Sequence, residues 1–188
     1  ERGGGVIITK EGFAVVEEAV EFLMEQAKAP IAGVGTISEV GLALAGEDHI
    51  ADVGQTGTAS QASSDGVMSA ERVKRYGNFG SFGECLWYGS EHSTARMMVL
   101  DLIVDDGVAS RGHRKNIFSS DYKLVGVGIQ THKKYKWMTC TNFARRSRPK
   151  RKRNYQSSVL AVCCLRLKLL LFRFPVLAMM KIPMTGQM

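Results

Sequence analysis

The chain has 188 residues, 45% of them hydrophobic and 23% charged, which fits one ordinary globular domain with a buried core. Its net charge of +7 is unevenly spread: residues 145–188 hold 11 Lys/Arg and no acidic residue, whereas residues 1–144 hold 14 Lys/Arg and 18 Asp/Glu, a balance of −4. A mildly acidic body excludes the basic footprint of a nucleic-acid-binding domain and predicts a boundary near residue 145.

An amphipathic helix is predicted over residues 10–27, after a flexible lead at residues 1–8. Apolar side chains recur there at helical spacing, and the glutamates fall largely on the opposite face. Thr9 is the candidate N-cap, and Pro30 ends the pattern.

A second helix is predicted at about 39–52, with Ser38 as its candidate N-cap. The small and polar residues 54–66 are typical of a loop. A short helix is expected around 68–76.

The middle of the chain predicts a strand and then a helix. Residues 82–89 are aromatic and bracketed by glycines, which favours a strand. Residues 93–105 carry an apolar helical stripe, with Ser93 as cap and Gly107 as terminator. Residues 111–118 show no helical period.

Alternating apolar residues then predict two strands, 124–129 and 135–143, joined by a hairpin connection at 131–134. Helices first and paired strands last indicate an α+β fold with an antiparallel sheet.

The tail opens with a basic run, 145–153, followed by the apolar stretch 158–181, which charges interrupt four times. Its longest uncharged run, 154–165, is 12 residues long, whereas a transmembrane helix needs about 20. No transmembrane segment is predicted, and residues 145–188 are expected to lie outside the domain.

Two of the four cysteines, Cys85 and Cys140, lie in the body. No C-x-x-C pair or Cys/His spacing typical of zinc is present. A Cys85–Cys140 disulfide in an oxidising compartment and two buried free thiols are both consistent with the sequence.

Glu84 and His113 are the candidate functional residues in the body. A carboxylate on an aromatic strand needs a partner once buried, and a histidine between Arg111 and Arg114 suits metal ligation or a hydrogen bond to a carboxylate. No nucleophile elbow, phosphate loop or H-E-x-x-H motif is found.

Four segments in order resemble the CAP superfamily of cysteine-rich secretory, antigen 5 and pathogenesis-related proteins, in its bacterial and protist-like SCP branch. They are LALAGEDHIADVGQTGT…SSDG (42–66), RVKRYGNFGSFGECLWYGS (72–90), LIVDDGVASRGHRKNIF (102–118) and YKLVGVGIQTHKKY…CTNFA (122–144). The resemblance covers residues 9–144 and implies a three-layer α-β-α sandwich that lacks the family's first helix.

The resemblance also implies a cleft lined by two histidines and two acids, which holds a divalent metal in some members. Glu84 matches the glutamate of the family's G-E-N motif and His113 the histidine of its G-H-R motif. Asp105 or Asp106 stands near the second acid. Gln61 replaces a usual histidine, so no cofactor is required, divalent metal binding is expected to be weak, and Gln61→His is expected to strengthen it.

The function implied is that of a secreted module binding an extracellular protein or a lipid or sterol ligand, without established catalysis. The given sequence contains no signal segment, so the extracellular address rests on the resemblance. Two alternatives remain open: a metal-dependent hydrolase using Glu84 as base and His113 as ligand, and anionic-surface or nucleic-acid binding through the run 145–153. That run is not expected to read a specific nucleic acid.

Overall fold

The structure, a computed structural model, describes residues 9–28 and 37–145. The predicted lead at 1–8 and nearly all of the predicted tail lie outside these residues. The elements in chain order are α1 (Ala14–Lys28), β1 (Ile37–Ser38), α2 (Val40–Thr56), α3 (Ser69–Lys74), β2 (Phe82–Gly89), α4 (Ala95–Val104), α5 (Gly112–Phe118), β3 (Leu124–His132) and β4 (Lys136–Ala144).

The sheet has the order β1-β3-β4-β2, with β4 antiparallel to both β3 and β2. The helices α2 and α3 cover one face, and α1, α4 and α5 cover the other. The predicted α+β three-layer sandwich is confirmed. One pair differs from the prediction: β1, only two residues long, runs parallel to β3.

The helix α2 lies directly on the sheet because glycines let the two backbones approach. A Cβ on Gly126 would lie 2.2 Å from the backbone nitrogen of Ala43, and one on Gly128 would lie 2.5 Å from that of Glu47. Both glycines alternate with buried valines, so one face of β3 has no side chains at these positions and the other face carries valine side chains.

The helix boundaries differ from the predicted ones for local reasons. The Glu39 carboxylate, rather than Ser38, caps α2. Thr94, rather than Ser93, caps α4 through the amide of Met97. The Thr9 hydroxyl donates to Gly12 O instead of capping, so α1 begins four residues later than predicted, at Ala14.

Two tertiary contacts change the predicted elements further. The helix α2 continues to Thr56, through residues predicted as loop, because Gly54 packs against Thr131 and Gly57 then ends the helix at φ 77°. The helix α5, which has no apolar period of its own, forms because its buried Arg114 donates to the carbonyls that end α4.

Cys85 and Cys140 are buried free thiols on opposite faces of the sheet. They belong to adjacent antiparallel strands in which Cys85 pairs with Thr141 and Cys140 with Leu86, so side-chain alternation directs their sulfurs apart. The disulfide alternative is therefore wrong. No helix within 9–28 and 37–145 is long and apolar enough to cross a membrane.

Candidate functional site

Glu84 lies in the middle of a buried polar cluster on the α2 side of the sheet. Its Oε2 accepts hydrogen bonds from Arg72 Nη2 at 2.8 Å and from Cys140 Sγ at 3.3 Å. The side chains of Arg72 and Glu84 are only 1% and 3% exposed. Burial raises the pKa of Glu84, and the Arg72 guanidinium offsets only part of that rise.

Arg72 and His49 attach the loop 57–68 to this cluster. Arg72 Nη1 donates to Ser63 Oγ at 2.9 Å and reaches Gln61 O at 3.5 Å. His49 Nε2 lies 2.8 Å from Ser60 O, so this nitrogen carries the proton. Burial, and then the charge of Arg72, lower the pKa of His49.

Three atoms of this cluster, His49 Nδ1, Arg72 Nε and Glu84 Oε1, are buried without a hydrogen-bond partner among the described residues. Sequence reasoning missed Arg72 and His49, since each lies on a helix where a charged or polar residue is normally solvated. Gln61 is exposed, and its contact with the cluster is through its main-chain oxygen.

His113 belongs to a second cluster, at the junction of α4 and α5. Asp105, 2% exposed, ends α4 in the left-handed conformation at φ 58°. Its carboxylate bonds the His113 ring at Nδ1, 2.7 Å away, and accepts from the His113 amide at 2.8 Å. Asp106 instead accepts from the amides of Lys10 and Glu11. The acid beside the histidine is therefore Asp105.

The structure does not bring Glu84 and His113 together. The Glu84 side chain points toward α2 and is paired with Arg72, whereas His113 is on α5, whose backbone contacts Cys85 on the other side of β2. The expectation that both residues face each other across one concave site is wrong. The expected gain in metal affinity from Gln61→His stays a prediction; the main-chain oxygen of Gln61 contacts Arg72, the partner of Glu84.

The described residues contain no group of three or more His, Cys, Asp or Glu side chains able to hold a metal ion. Weak divalent metal binding through His113 or Glu84 stays a prediction.

The two thiols do not resemble activated nucleophiles. Burial raises the pKa of Cys85 to about 12 and also raises the pKa of Cys140. Glu84, which is hydrogen-bonded to Cys140, adds to that rise. A thiolate is disfavoured at both positions near neutral pH.

A set of ion pairs fixes the α4–α5 junction to α1. Arg111, at φ 50°, donates to both Glu11 and Glu18. Arg114 donates to Glu18 at 2.7 Å. Arg111 Nη1 also donates to Asp105 O, so these contacts help to orient the residue that holds His113.

We expect the attachment of α1 to weaken in acid. The hydrogen bond from Arg111 is the main reason that the pKa of Glu11 falls from 4.5 to about 2. The hydrogen bond from Arg111 also lowers the pKa of Glu18. Carboxylates whose pKa is lowered by folding stabilise the protein above the unfolded pKa, and that contribution disappears as the pH falls through the folded pKa. For Glu11 this happens between about 4.5 and 2, and for Glu18 the loss has the same direction. The difference in Tm between the wild type and Glu18→Gln should be greatest near neutral pH and vanish in acid.

Glu17→Gln provides the matched control, because Glu17 is the exposed neighbour of Glu18 on α1. Its Tm difference from the wild type should be small throughout. An equal, pH-dependent loss in both variants would contradict the role of Arg111 and Arg114.

An α-β-α sandwich that carries a G-E segment at Glu84 and a G-H-R segment at His113 is typical of one protein family. Comparison with family models identifies that family. The model of the cysteine-rich secretory protein family, CAP, matches residues 40–142. The match spans more than half of the chain, so the protein belongs to this family and the predicted membership is confirmed.

Two solved structures are similar to this chain. An outer surface protein from Borrelia burgdorferi matches with 18% identity and a TM-score of 0.49, over 77% of this chain and 99% of that one. An extracellular protein containing an SCP domain, from Bacillus anthracis str. Ames, matches with 18% identity and a TM-score of 0.51, over 76% of this chain and 45% of that one. The match to the Bacillus anthracis protein supports the fold alone. No curated protein matches the sequence.

Proposed function

We propose that this protein is an extracellular, non-enzymatic module that binds a protein partner or a small, lipid-like ligand through the surface around His113. Membership of a secretory protein family supports the extracellular location. The Bacillus anthracis protein with the same fold is likewise described as extracellular.

The observation that carries the binding role is the orientation of His113. The buried Asp105 holds Nδ1, which leaves Nε2 as the ring nitrogen available to a ligand, and the side chain is 24% exposed. A carboxylate behind an imidazole fixes the ring and its tautomer, so the outward nitrogen is preorganised for a hydrogen bond.

The contacts of the other candidate residues favour binding over hydrolysis. A hydrolase using Glu84 as base and His113 as metal ligand needs both at one reacting centre. Glu84 is instead buried against Arg72, and both thiols have raised pKa values. Any divalent metal would then have few ligands at either cluster and be held weakly.

The test is to titrate the protein with palmitate and with cholesterol sulfate and to monitor binding by the NMR signals of the histidine rings. We expect the His113 signal to shift and His113→Gln to weaken binding about tenfold, the loss typical of a hydrogen bond to a charged group. His92→Gln is the matched control, because His92 is exposed elsewhere on the surface.

Binding of either lipid that His113→Gln leaves unchanged would contradict the proposed site. Zinc-dependent hydrolysis of p-nitrophenyl acetate that is lost in a folded Glu84→Gln variant would favour the hydrolase. Zinc calorimetry complements both tests: tight one-to-one binding unaffected by His113→Gln would contradict weak metal binding at His113.

A further inference from the structure

The hairpin that joins β3 and β4 combines a basic tip with exposed apolar side chains. Residues 129–137 contain three exposed lysines, Lys133, Lys134 and Lys136, and no acidic residue. Ile129 and Trp137 are 53% and 39% exposed, among the most exposed large hydrophobic side chains of the described residues. We propose that this hairpin is a docking surface for membranes that contain anionic phospholipids.

The two apolar residues form one patch. Ile129 pairs with Thr139 and Thr131 pairs with Trp137, so Ile129 and Trp137 are diagonal neighbours on the same face of the sheet. That face is covered further along by α4, whose Met98 contacts Thr139. Toward the tip, both side chains remain exposed.

The basic tip is held in a fixed shape by His132, which is only 2% exposed. Its Nδ1 accepts from the amides of Lys134 and Tyr135, and its Nε2 lies 3.2 Å from Thr58 O. The Lys133 amide donates to Gly54 O at the end of α2. A preformed tip loses little conformational entropy when it binds.

Beside the tip lies an open depression of about 500 Å³, lined by Gly54, Gln55, Thr131, His132, Lys133 and Lys136. Two lysines at its wall match a phosphate-bearing headgroup in charge.

A membrane surface fits this arrangement better than an acidic protein does. Tryptophan is favoured at the boundary between headgroups and acyl chains, where its ring is buried and its N–H can still hydrogen-bond to water. Lysines beside it meet anionic headgroups at the same depth. This docking surface consists of residues other than His113 and other than the basic run 145–153, so it goes beyond the proposed function.

The test is co-sedimentation of the full chain with phosphatidylcholine vesicles, with and without phosphatidylserine. Lys133→Gln/Lys134→Gln/Lys136→Gln should reduce partitioning onto the phosphatidylserine vesicles at least about tenfold. The matched control is Lys10→Gln/Lys74→Gln/Lys115→Gln, which removes the same charge from other exposed positions and leaves the run 145–153 intact. It should have little effect.

Trp137 supplies a local readout, because the only other tryptophan, Trp87, is 9% exposed in the core. We expect a blue shift of tryptophan emission on vesicles that contain phosphatidylserine, lost in Trp137→Phe and in high salt. An equal loss of binding in both lysine variants, or unchanged emission, would overturn the proposal. Binding of an acidic peptide but not of vesicles would overturn it in favour of a protein partner.

Discussion

Arg72→Met is expected to lower the free energy of unfolding by about 3–5 kcal/mol, because it leaves the Glu84 carboxylate buried without its charged partner. The guanidinium also holds the loop 57–68 through Ser63 and Gln61, so that loop should lose protection from amide exchange. Urea unfolding at neutral pH measures the loss. The burial that raises the pKa of Glu84 makes the variant relatively more stable as the pH falls and the carboxyl group takes up a proton.

Two further variants show whether the buried charge is the cause. Lys74→Met removes a basic residue from the same helix, where its ion pair with Glu71 is 65% and 63% exposed, and should cost at most about 1 kcal/mol. The double variant Arg72→Met/Glu84→Leu replaces the pair by apolar groups and should recover most of the loss. If the double variant were no more stable than Arg72→Met, the unpaired carboxylate would not be the source of the destabilisation.

Gly126→Ala should also cost about 3 kcal/mol, the upper end of the range for overpacking. The added Cβ would lie 2.2 Å from the backbone nitrogen of Ala43 and 2.4 Å from the carbonyl carbon of Leu42, and neither backbone atom can rotate away. Thermal unfolding should show a lower Tm. The NMR signals of residues where α2 packs on β3 should change their chemical shifts.

Gly112→Ala is the control for Gly126→Ala. A Cβ there would meet only the Ser110 hydroxyl, at 3.3 Å, which can rotate away. Alanine is also favoured over glycine in the helix α5, so this variant should be neutral or slightly stabilising. Similar losses at both positions would show that the close approach of α2 is not what makes Gly126 necessary.

Two strands of the sheet could be predicted from local features of the sequence. Aromatic residues bracketed by glycines predict the strand 82–89 with the bounds that β2 has. The alternation at 124–129 predicts the start of β3, but β3 continues through Thr131 and His132, where the hairpin connection was expected. The same alternation, with Gly126 and Gly128 on one face, matches the face on which α2 lies. Side-chain period is a local property of the chain, so it is readable without the fold.

The tertiary structure alone decided the elements and contacts that long-range partners create. The helix α5 depends on hydrogen bonds from Arg114 to the end of α4. The two-residue strand β1 forms because it pairs in parallel with the edge of β3. Asp105 was indistinguishable from Asp106 in sequence, and only the left-handed end of α4 directs Asp105 toward His113.

The partner of Glu84 at the candidate site could not be predicted from the sequence either. Its place on a half-buried strand predicted that it needs a partner, but not that the partner is Arg72 from α3 instead of His113. Strand alternation fixes the relative faces of neighbouring residues, whereas which helix covers each face depends on how the whole chain packs. That packing separates Glu84 from His113 and exposes Ile129 and Trp137 beside the lysines of the hairpin.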